Sequence, residues 1–241
     1  MKNPWAIALV VLVVLIGGAY LYSAKAGEKG NDGVSLENGR VATLENIDTN
    51  DETLNLVHAK GNLESSVVLV EFGDFQCPAC AAFQPAVDDV LAKYGEFLRF
   101  EFRHMPLPMH PKAVPAARAA EAAGQQGKFF EFVDLLYKNQ NTWANTSNHN
   151  ALFVKYATDL GLDTDVFKTQ LKSSILRDVI KSEQKYADTL NVTGTPTFFL
   201  NGEKMAYRSY EEFFEQIEAA LDPKIRFDVS GTEEVVTDQT E

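Results

Sequence analysis

The segment VVLVEFGDFQCPACAAF, from Val67 to Phe83, places a Cys-x-x-Cys pair directly after a short run of apolar, β-branched residues. Such a run is typical of a central strand that is buried on both faces. Pro78, between the cysteines, is favoured in the first turn of a helix. The segment therefore predicts a buried strand that leads two thiols, Cys77 and Cys80, to the N-terminus of a helix.

The patterns that follow predict one mixed sheet with helices on both faces. The helix that begins at the cysteines extends to about Tyr94, and the alternating segment FLRFEFR predicts a second strand. Helical patterns then occupy roughly residues 112–190, GTPTFFLNGEKMAYR predicts a hairpin that turns at Asn201-Gly202, and a last helix covers about 210–221. The fold class is therefore α/β, with the helical block inserted between the second strand and the hairpin.

The N-terminus carries a different signal. From Trp5 to Tyr22 the chain has 18 residues without a charged or strongly polar side chain, which is close to the roughly 20 needed to cross a bilayer. We therefore expect a transmembrane signal-anchor over residues 1–22. The alternative is a cleaved signal peptide, because Ala24-Lys25-Ala26 offers a small-x-small cleavage site. In both cases the rest of the chain is exported.

Composition completes the predicted domain organisation and limits the partners. The parts are the signal-anchor (1–22), a flexible linker (23–40), the folded domain with its helical insert (41–221) and an acidic tail without regular structure (222–241). The formal net charge is −12, and phosphate binding needs a basic face. Nucleic acid is therefore excluded as a partner, and no basic patch is available for anionic lipid.

Three roles compete for the only two cysteines of the chain. As a structural disulfide, the pair would close a four-residue loop, which adds only about 2 kcal/mol in the chain-entropy model. A structural zinc site needs four ligands, whereas this chain has a single cysteine pair and four histidines scattered along the sequence: His58, His104, His110 and His149. Both interpretations are weaker than a redox pair, and no metal or cofactor is predicted.

The redox interpretation has independent physical support. Cysteines three positions apart in the first turn of a helix lie within disulfide range. The free N–H groups and the macrodipole at a helix N-terminus stabilise a thiolate, so the pKa of Cys77 should be lowered. Cys80, one turn deeper, is placed to resolve a mixed disulfide.

The segment GTPTFF supplies a second element of the same kind of site. It places Pro196 at the entrance of a strand, where a residue without an N–H is tolerated. A cis Thr195-Pro196 bond would turn this loop sharply beside the thiols and leave the backbone of Thr195 free to pair with an extended substrate. The alternative is an ordinary trans proline that opens a strand.

Together these segments resemble the DsbA family of thiol:disulfide oxidoreductases, whose members have a thioredoxin-like fold with an inserted α-helical domain. The resemblance covers roughly residues 55–221 and is carried by VEFGDFQCPAC, FRHMPL followed by HP, AARAAEAAGQQGKFFEF and VTGTPTFFLNG. It implies that Cys77 attacks and Cys80 resolves, and that Thr195 and Pro196 contact the substrate.

The resemblance also implies a role for Glu71. It lies six residues before Cys77, where the family has a buried acidic residue that relays protons. A carboxylate in a core has a raised pKa, which suits it to accept a proton from Cys80. A solvated glutamate at the strand surface is the alternative.

One departure from the family concerns the dipeptide between the cysteines. The strongest oxidants of the family have histidine there, whereas this chain has Pro78-Ala79. Both residues count among the predicted substrate-binding residues, but Ala79 brings no donor or charge to the thiolate. The resemblance therefore implies a milder oxidant, with reduction or isomerisation as the alternative direction.

These observations predict an extracytoplasmic, membrane-tethered enzyme, or a secreted or periplasmic one if the N-terminal helix is cleaved. Its partners would be exported client proteins and a membrane protein, not identified by the sequence, that recycles the cysteine pair. The alternative from a different class is a non-catalytic binding or metallochaperone module on the same fold. A pKa lowered at only one of the two thiols would favour the enzyme, since a binding module does not need it.

Overall fold

A computed structural model describes residues 57–221 of the protein. The predicted signal-anchor (1–22), linker (23–40) and acidic tail (222–241), and the beginning of the predicted domain at residue 41, lie outside the described residues. Within residues 57–221, no helix combines the length and the apolar character that crossing a bilayer requires.

Five strands form one mixed sheet in the described part of the chain. They are β1 (His58–Gly61), β2 (Val68–Gly73), β3 (Arg99–His104), β4 (Thr197–Leu200) and β5 (Glu203–Lys204). Their order across the sheet is β1-β3-β2-β4-β5. Strand β2 is parallel to β3, and the other neighbouring pairs are antiparallel. The predicted mixed sheet is confirmed, with the strand that precedes the cysteines at its centre.

The edge strand β1 is the element that the sequence does not predict. Its four residues, HAKG, include no β-branched residue, and the two that are buried, His58 and Ala59, are adjacent rather than alternating. The strand pairs antiparallel with β3, which places His58 opposite Phe102. Its conformation is therefore set by the partner strand rather than by a local pattern.

Eight helices surround the sheet within residues 57–221. They are α1 (Pro78–Tyr94), α2 (Ala113–Gly124), α3 (Phe129–Lys138), α4 (Gln140–Ala144), α5 (His149–Asp159), α6 (Thr164–Gln170), α7 (Ser174–Thr189) and α8 (Tyr210–Ala220). Helices α2 to α7 lie between β3 and β4, within the range 112–190 given to the helical insert. The helical insert that the sequence predicts is thus present as six separate helices.

Helix α2 is the centre of the insert. Its sequence, AVPAARAAEAAG, consists mostly of small side chains, and nine of its twelve residues are buried. Small side chains allow neighbouring helices to approach closely, and α3 and α7 both pack against α2. The alanine-rich segment therefore serves as packing surface.

One apolar core connects the sheet, α1 and the insert. The ring of Phe75 stacks on that of Phe102, with 5.0 Å between ring centroids. Phe129, from α3 of the insert, contacts Phe102 at 5.9 Å. The insert therefore shares its core with the sheet, and the aromatic contacts lie directly beneath the loop that carries the cysteines.

Candidate active site

Strand β2 leads the two cysteines to the start of α1. The strand ends at Gly73, and Cys77 is the N-cap residue of α1, with Pro78 in the first turn. Both cysteines are free thiols. Cys77 keeps 6% of its surface exposed and Cys80 keeps 1%, so Cys77 is the more accessible thiol. Pro78 and Ala79 are exposed beside it.

Several groups lower the pKa of Cys77 from its usual value of 9.0 to about 5. The hydrogen bond with the Cys80 thiol is the largest cause, whereas burial acts in the opposite direction. The Thr195 hydroxyl and the backbone N–H groups of Cys80 and Ala79 lower the pKa further. The side chain of Ala79 supplies no donor, and the contribution of this residue to the lowered pKa of Cys77 comes from its backbone N–H.

The pKa of Cys80 moves in the opposite direction. The hydrogen bond to Cys77 is the largest cause that raises it, followed by burial and by the charge of Glu71. At neutral pH the proton therefore stays on Cys80 while Cys77 is ionised. The two thiols of the pair are chemically distinct, although both lie in the same helical turn.

The loop before β4 lies against the Cys77 thiol. The Thr195-Pro196 peptide bond is cis, and Sγ of Cys77 lies 3.4 Å from the Thr195 carbonyl oxygen, to which it donates a hydrogen bond when it is protonated. Strand β4 pairs antiparallel with β2, which places Thr197 opposite Phe72. This pairing brings the predicted Thr-Pro loop to the end of β2 where the cysteines begin.

Glu71 lies inside the core on the central strand. It is 2% exposed and is flanked by Phe102 on β3 and Phe198 on β4. Burial raises its pKa to about 8, with smaller contributions from the charges of Asp88 and Cys77. Its Oε2 atom has no hydrogen-bond partner among the described residues. The alternative of a solvated glutamate is therefore wrong.

Asp74 holds the loop between β2 and α1, although it is not among the residues predicted for the site. Its Oδ1 accepts a hydrogen bond from the backbone N–H of Gln76 at 2.7 Å. Its Oδ2 accepts from the N–H of Leu107 at 2.9 Å and from Nδ1 of His110 at 2.6 Å. The first bond has a sequence signal, because an aspartate in a loop often accepts from the N–H two residues on. The other two bonds give the HMPLPMH segment a supporting role beside the cysteines.

Gln140, at the start of α4, supports the same loop from the insert. Its Nε2 donates to the carbonyl oxygens of Phe75 at 2.8 Å and Cys77 at 2.9 Å. Gln140 is buried and lies more than sixty residues further along the chain than either acceptor. No local pattern in the sequence identifies such a contact.

The hydroxyl of Tyr137 is buried next to the acidic groups of the site. It has no hydrogen-bond partner among the described residues. Burial raises the pKa of Tyr137 well above its ordinary value, and the charges of Glu71 and Cys80 raise it further. Tyr137 therefore stays protonated and offers a donor in the region where Glu71 and Cys80 lie.

Two of the four histidines, scattered in the sequence, meet in the structure. Oε1 of Glu121 accepts hydrogen bonds from Nε2 of His58 and Nε2 of His104, both at 2.8 Å. Burial opposes ionisation of Glu121, but the charges of the two histidines and their hydrogen bonds outweigh it and lower its pKa to about 2. Each of these three side chains offers one potential metal-ligand atom, and the three atoms lie within 4.8 Å of one another. Within residues 57–221, His58, His104 and Glu121 are therefore the group that could hold a metal ion.

Comparison with known structures identifies the fold. The thioredoxin-like oxidoreductase of Silicibacter pomeroyi is 25% identical, with 68% of this chain and 91% of that chain covered and a TM-score of 0.57. BdbD of Bacillus subtilis is 22% identical, with coverages of 67% and 90% and a TM-score of 0.60. Alpha-DsbA1 of Wolbachia pipientis is also 22% identical, with coverages of 69% and 92% and a TM-score of 0.60. The predicted thioredoxin-like fold, in the form seen in DsbA proteins, is confirmed.

Sequence comparison gives a family model and a set of longer relatives. The model described as thioredoxin matches residues 55–219. The Na(+)/H(+) antiporter NhaA 3 of Salinispora tropica is 40% identical over 148 residues, and NhaA 1 of Salinispora arenicola is 41% identical over 148 residues. These matches cover 61% of this chain but 22% of each antiporter. The chain thus spans a small part of the curated relatives it matches.

Proposed function

The chain belongs to the thioredoxin family, and from this premise we propose that it is a DsbA-like thiol:disulfide oxidoreductase that introduces disulfides into exported proteins. One observation carries the proposal. An accessible thiol of low pKa, Cys77, is paired with a buried thiol of high pKa, Cys80, beside the loop of Thr195 and Pro196. A binding or metallochaperone module has no need for this separation of the two pKa values.

The reaction begins with a disulfide between Cys77 and Cys80. A client thiolate attacks Sγ of Cys77, the bond between Cys77 and Cys80 breaks, and Cys80 leaves as a thiolate. A second client thiolate then attacks the client sulfur of the mixed disulfide, and Cys77 leaves as a thiolate. The client loses two electrons and gains a disulfide, while the enzyme gains two electrons and becomes a dithiol.

Glu71 supplies the proton that Cys80 needs when it leaves. Its pKa of about 8 keeps the carboxyl protonated at neutral pH, and the high pKa of Cys80 makes the sulfur a strong acceptor. When the pair is oxidised again, the proton moves in the reverse direction. Glu71 thus serves as a buried acid and base that avoids an uncompensated thiolate in the core.

The low pKa of Cys77 supports oxidation of clients as the direction. A sulfur that is ionised at neutral pH is a good leaving group, and its stabilised thiolate favours the reduced form of the enzyme. Such an enzyme transfers its disulfide to a client protein rather than retaining it. Reduction of client disulfides is the second candidate, favoured by the absence of a charged side chain at Pro78-Ala79.

Clients bind at the exposed rim around Cys77. Pro78 and Ala79 form one side of this rim and the cis Thr195-Pro196 loop forms the other. An extended client segment that lies against this loop brings its own cysteine to the more accessible sulfur. The substrate class is therefore unfolded or partly folded protein that carries cysteines.

The proposed location is the extracytoplasmic side of the cell membrane, with residues 1–22 as the anchor. It is supported by the apolar run from Trp5 to Tyr22 and by the redox chemistry of exported compartments. The pair would be reoxidised by a membrane partner that accepts its two electrons. The net charge of −12 supports protein rather than nucleic acid as the client.

The test combines a trapping experiment with a reduction potential. In Cys80→Ser the Cys77 thiolate should attack a client that carries a disulfide, release one client sulfur as a thiolate and accumulate as the mixed disulfide, because the resolving thiol is absent. Cys77→Ser should form no such complex; mass spectrometry distinguishes the two variants. The potential of the wild-type pair against glutathione should lie well above thioredoxin's roughly −270 mV, towards DsbA's roughly −120 mV. A trapped complex together with a potential at or below roughly −270 mV would make the protein a reductase, and no trapped complex would reject the enzyme.

A further inference from the structure

The helical insert contains a cleft that the redox chemistry does not use. It has a volume of about 630 Å³ and opens between α2, α5, α6 and α7. Pro115 and Arg118 line it from α2, Val154 from α5 and Lys168 from α6. None of its lining residues belongs to the site around the cysteines. Its volume is that of a small-molecule binding site.

The charge of this cleft is opposite to that of the whole chain. The chain carries a formal charge of −12, yet four permanent cations line the cleft and no acidic residue does: Arg118, Lys168, Lys172 and Arg177. Local excess charge of this kind attracts anions.

The acidic residues nearby neutralise little of this charge. Lys168 contacts Asp165 at 3.0 Å, but both side chains are at least half exposed, and Arg177 approaches Asp178 only at 3.9 Å. Neither Arg118 nor Lys172 has a carboxylate within 4.0 Å among residues 57–221. Most of the positive charge in the cleft is therefore available to a ligand.

Arg118 is held at the inner wall with unused hydrogen-bonding capacity. It donates through one terminal nitrogen to the Ser173 carbonyl at 3.4 Å, but its Nε is buried without a partner among the described residues. Burial, followed by the charge of Arg177, lowers the pKa of Arg118. Nδ1 of His149, which lines the cleft from α5, is also buried and unpartnered within residues 57–221. A bound anion would offset the charges of Arg118 and Arg177 and relieve the repulsion between them.

We propose that this cleft binds a small organic anion that carries at least two phosphate or carboxylate groups. Arginine guanidinium groups pair with both kinds of oxyanion through two parallel hydrogen bonds. The four cations that line the cleft together exceed the charge of a single phosphate or carboxylate, so we assign at least two such groups to the ligand. Val154 and Leu171 line the same cleft and contact the carbon part of the ligand.

The test measures ligand binding to the full chain by calorimetry at matched ionic strength. Pyrophosphate and citrate serve as the two small probes, and a short glutamate peptide represents an acidic protein segment. The variant Lys172→Gln/Arg177→Gln removes two cations of the cleft. Its matched control, Lys181→Gln/Lys185→Gln, removes two exposed cations of α7 that do not line the cleft.

We expect at least one small probe to bind with a Kd below about 1 mM. The cleft variant should weaken this binding by about tenfold or more, and the control should change it by less than about twofold. The probe that binds more tightly identifies the ligand as a phosphate or a carboxylate compound. An equal loss in both variants, binding of the glutamate peptide alone, or no binding of any probe would overturn the proposal.

Discussion

At the scale of single residues, the difference between Cys77 and Cys80 determines the chemistry. The two sulfurs are three positions apart, but one pKa is lowered to about 5 and the other is raised. The N-terminus of α1 stabilises charge on the first sulfur. The core and Glu71 disfavour charge on the second. One helical turn therefore supplies two chemically distinct thiols, which the proposed reaction requires.

Glu71 is the residue whose titration is most open to a direct test. The substitution Glu71→Gln keeps the volume of the side chain but removes the proton that, in the proposed reaction, it exchanges with Cys80. The rate of client oxidation in a single turnover should fall by about tenfold or more, because Cys80 then leaves without an acid. Stopped-flow fluorescence of a client that changes emission on oxidation measures this rate.

The same substitution should also change how the stability of the folded protein depends on pH. The pKa of Glu71 is 4.5 when it is exposed in the unfolded chain and about 8 in the folded protein. At Glu71 the folded state therefore binds more protons between these values, so the contribution of this residue to stability falls as pH rises from about 4.5 to about 8, whereas the lowered pKa of Cys77 acts in the opposite direction in the reduced protein. Glu71→Gln should lack this fall, whereas Glu64→Gln, at an exposed position, should retain it. Parallel curves for wild type and Glu71→Gln would contradict the buried titration.

At the scale of elements, the packing of β2 against β3 depends on a glycine. A Cβ atom at Gly73 would lie 2.5 Å from Cε2 of Phe102 and 3.1 Å from Oε1 of Glu71. The Phe102 ring has little freedom to withdraw, because it stacks on Phe75 with 5.0 Å between centroids. The strand that ends at the catalytic loop therefore requires a residue without a side chain at this point.

This close approach predicts the effect of Gly73→Ala. The substitution should lower the free energy of unfolding by about 1–3 kcal/mol, as overpacking of a core does; urea denaturation measures it. Gly194→Ala is the matched control, because a Cβ there would meet nothing within 4 Å, and its effect should stay within about 0.5 kcal/mol. If Gly73→Ala lost no more stability than the control, the Phe102 ring would have adapted to the added Cβ atom.

At the scale of the whole molecule, the insert and the sheet share one core. The loop that carries the cysteines is held by Asp74, which directly follows β2, and by Gln140, which lies in the insert. A change in the redox state of the cysteine pair therefore affects a loop that both the sheet and the helical insert stabilise. The overall stability of the protein should depend on whether the pair is a dithiol or a disulfide.

The sign of this dependence follows from the proposed direction. If the folded pair is a stronger oxidant than the same cysteines in the unfolded chain, the reduced protein must be the more stable form. We expect urea unfolding to require more denaturant after reduction with dithiothreitol than in the oxidised protein. Cys77→Ser, which cannot form the disulfide, should not respond to the reductant. Greater stability of the oxidised protein would favour the reductase.

Much of the fold and the reacting atoms of the site follow from the sequence, because their signals are local. The apolar run before Cys77 predicts β2, Pro78 predicts the start of α1, and Thr195-Pro196 marks the loop before β4. Each pattern spans a few residues, and each expresses a preference of the backbone or of burial. The sequence by itself thus determines the order of the elements and the identity of the two sulfurs.

Tertiary structure alone decides the surroundings of these sulfurs. The bonds of Asp74 to Leu107 and His110, of Gln140 to Cys77, and of Glu121 to two histidines join groups that are 17 to 63 residues apart. The burial of Glu71 likewise needs both neighbouring strands, and the cationic cleft needs four helices to meet. No short pattern encodes such contacts, because each depends on where a distant segment packs.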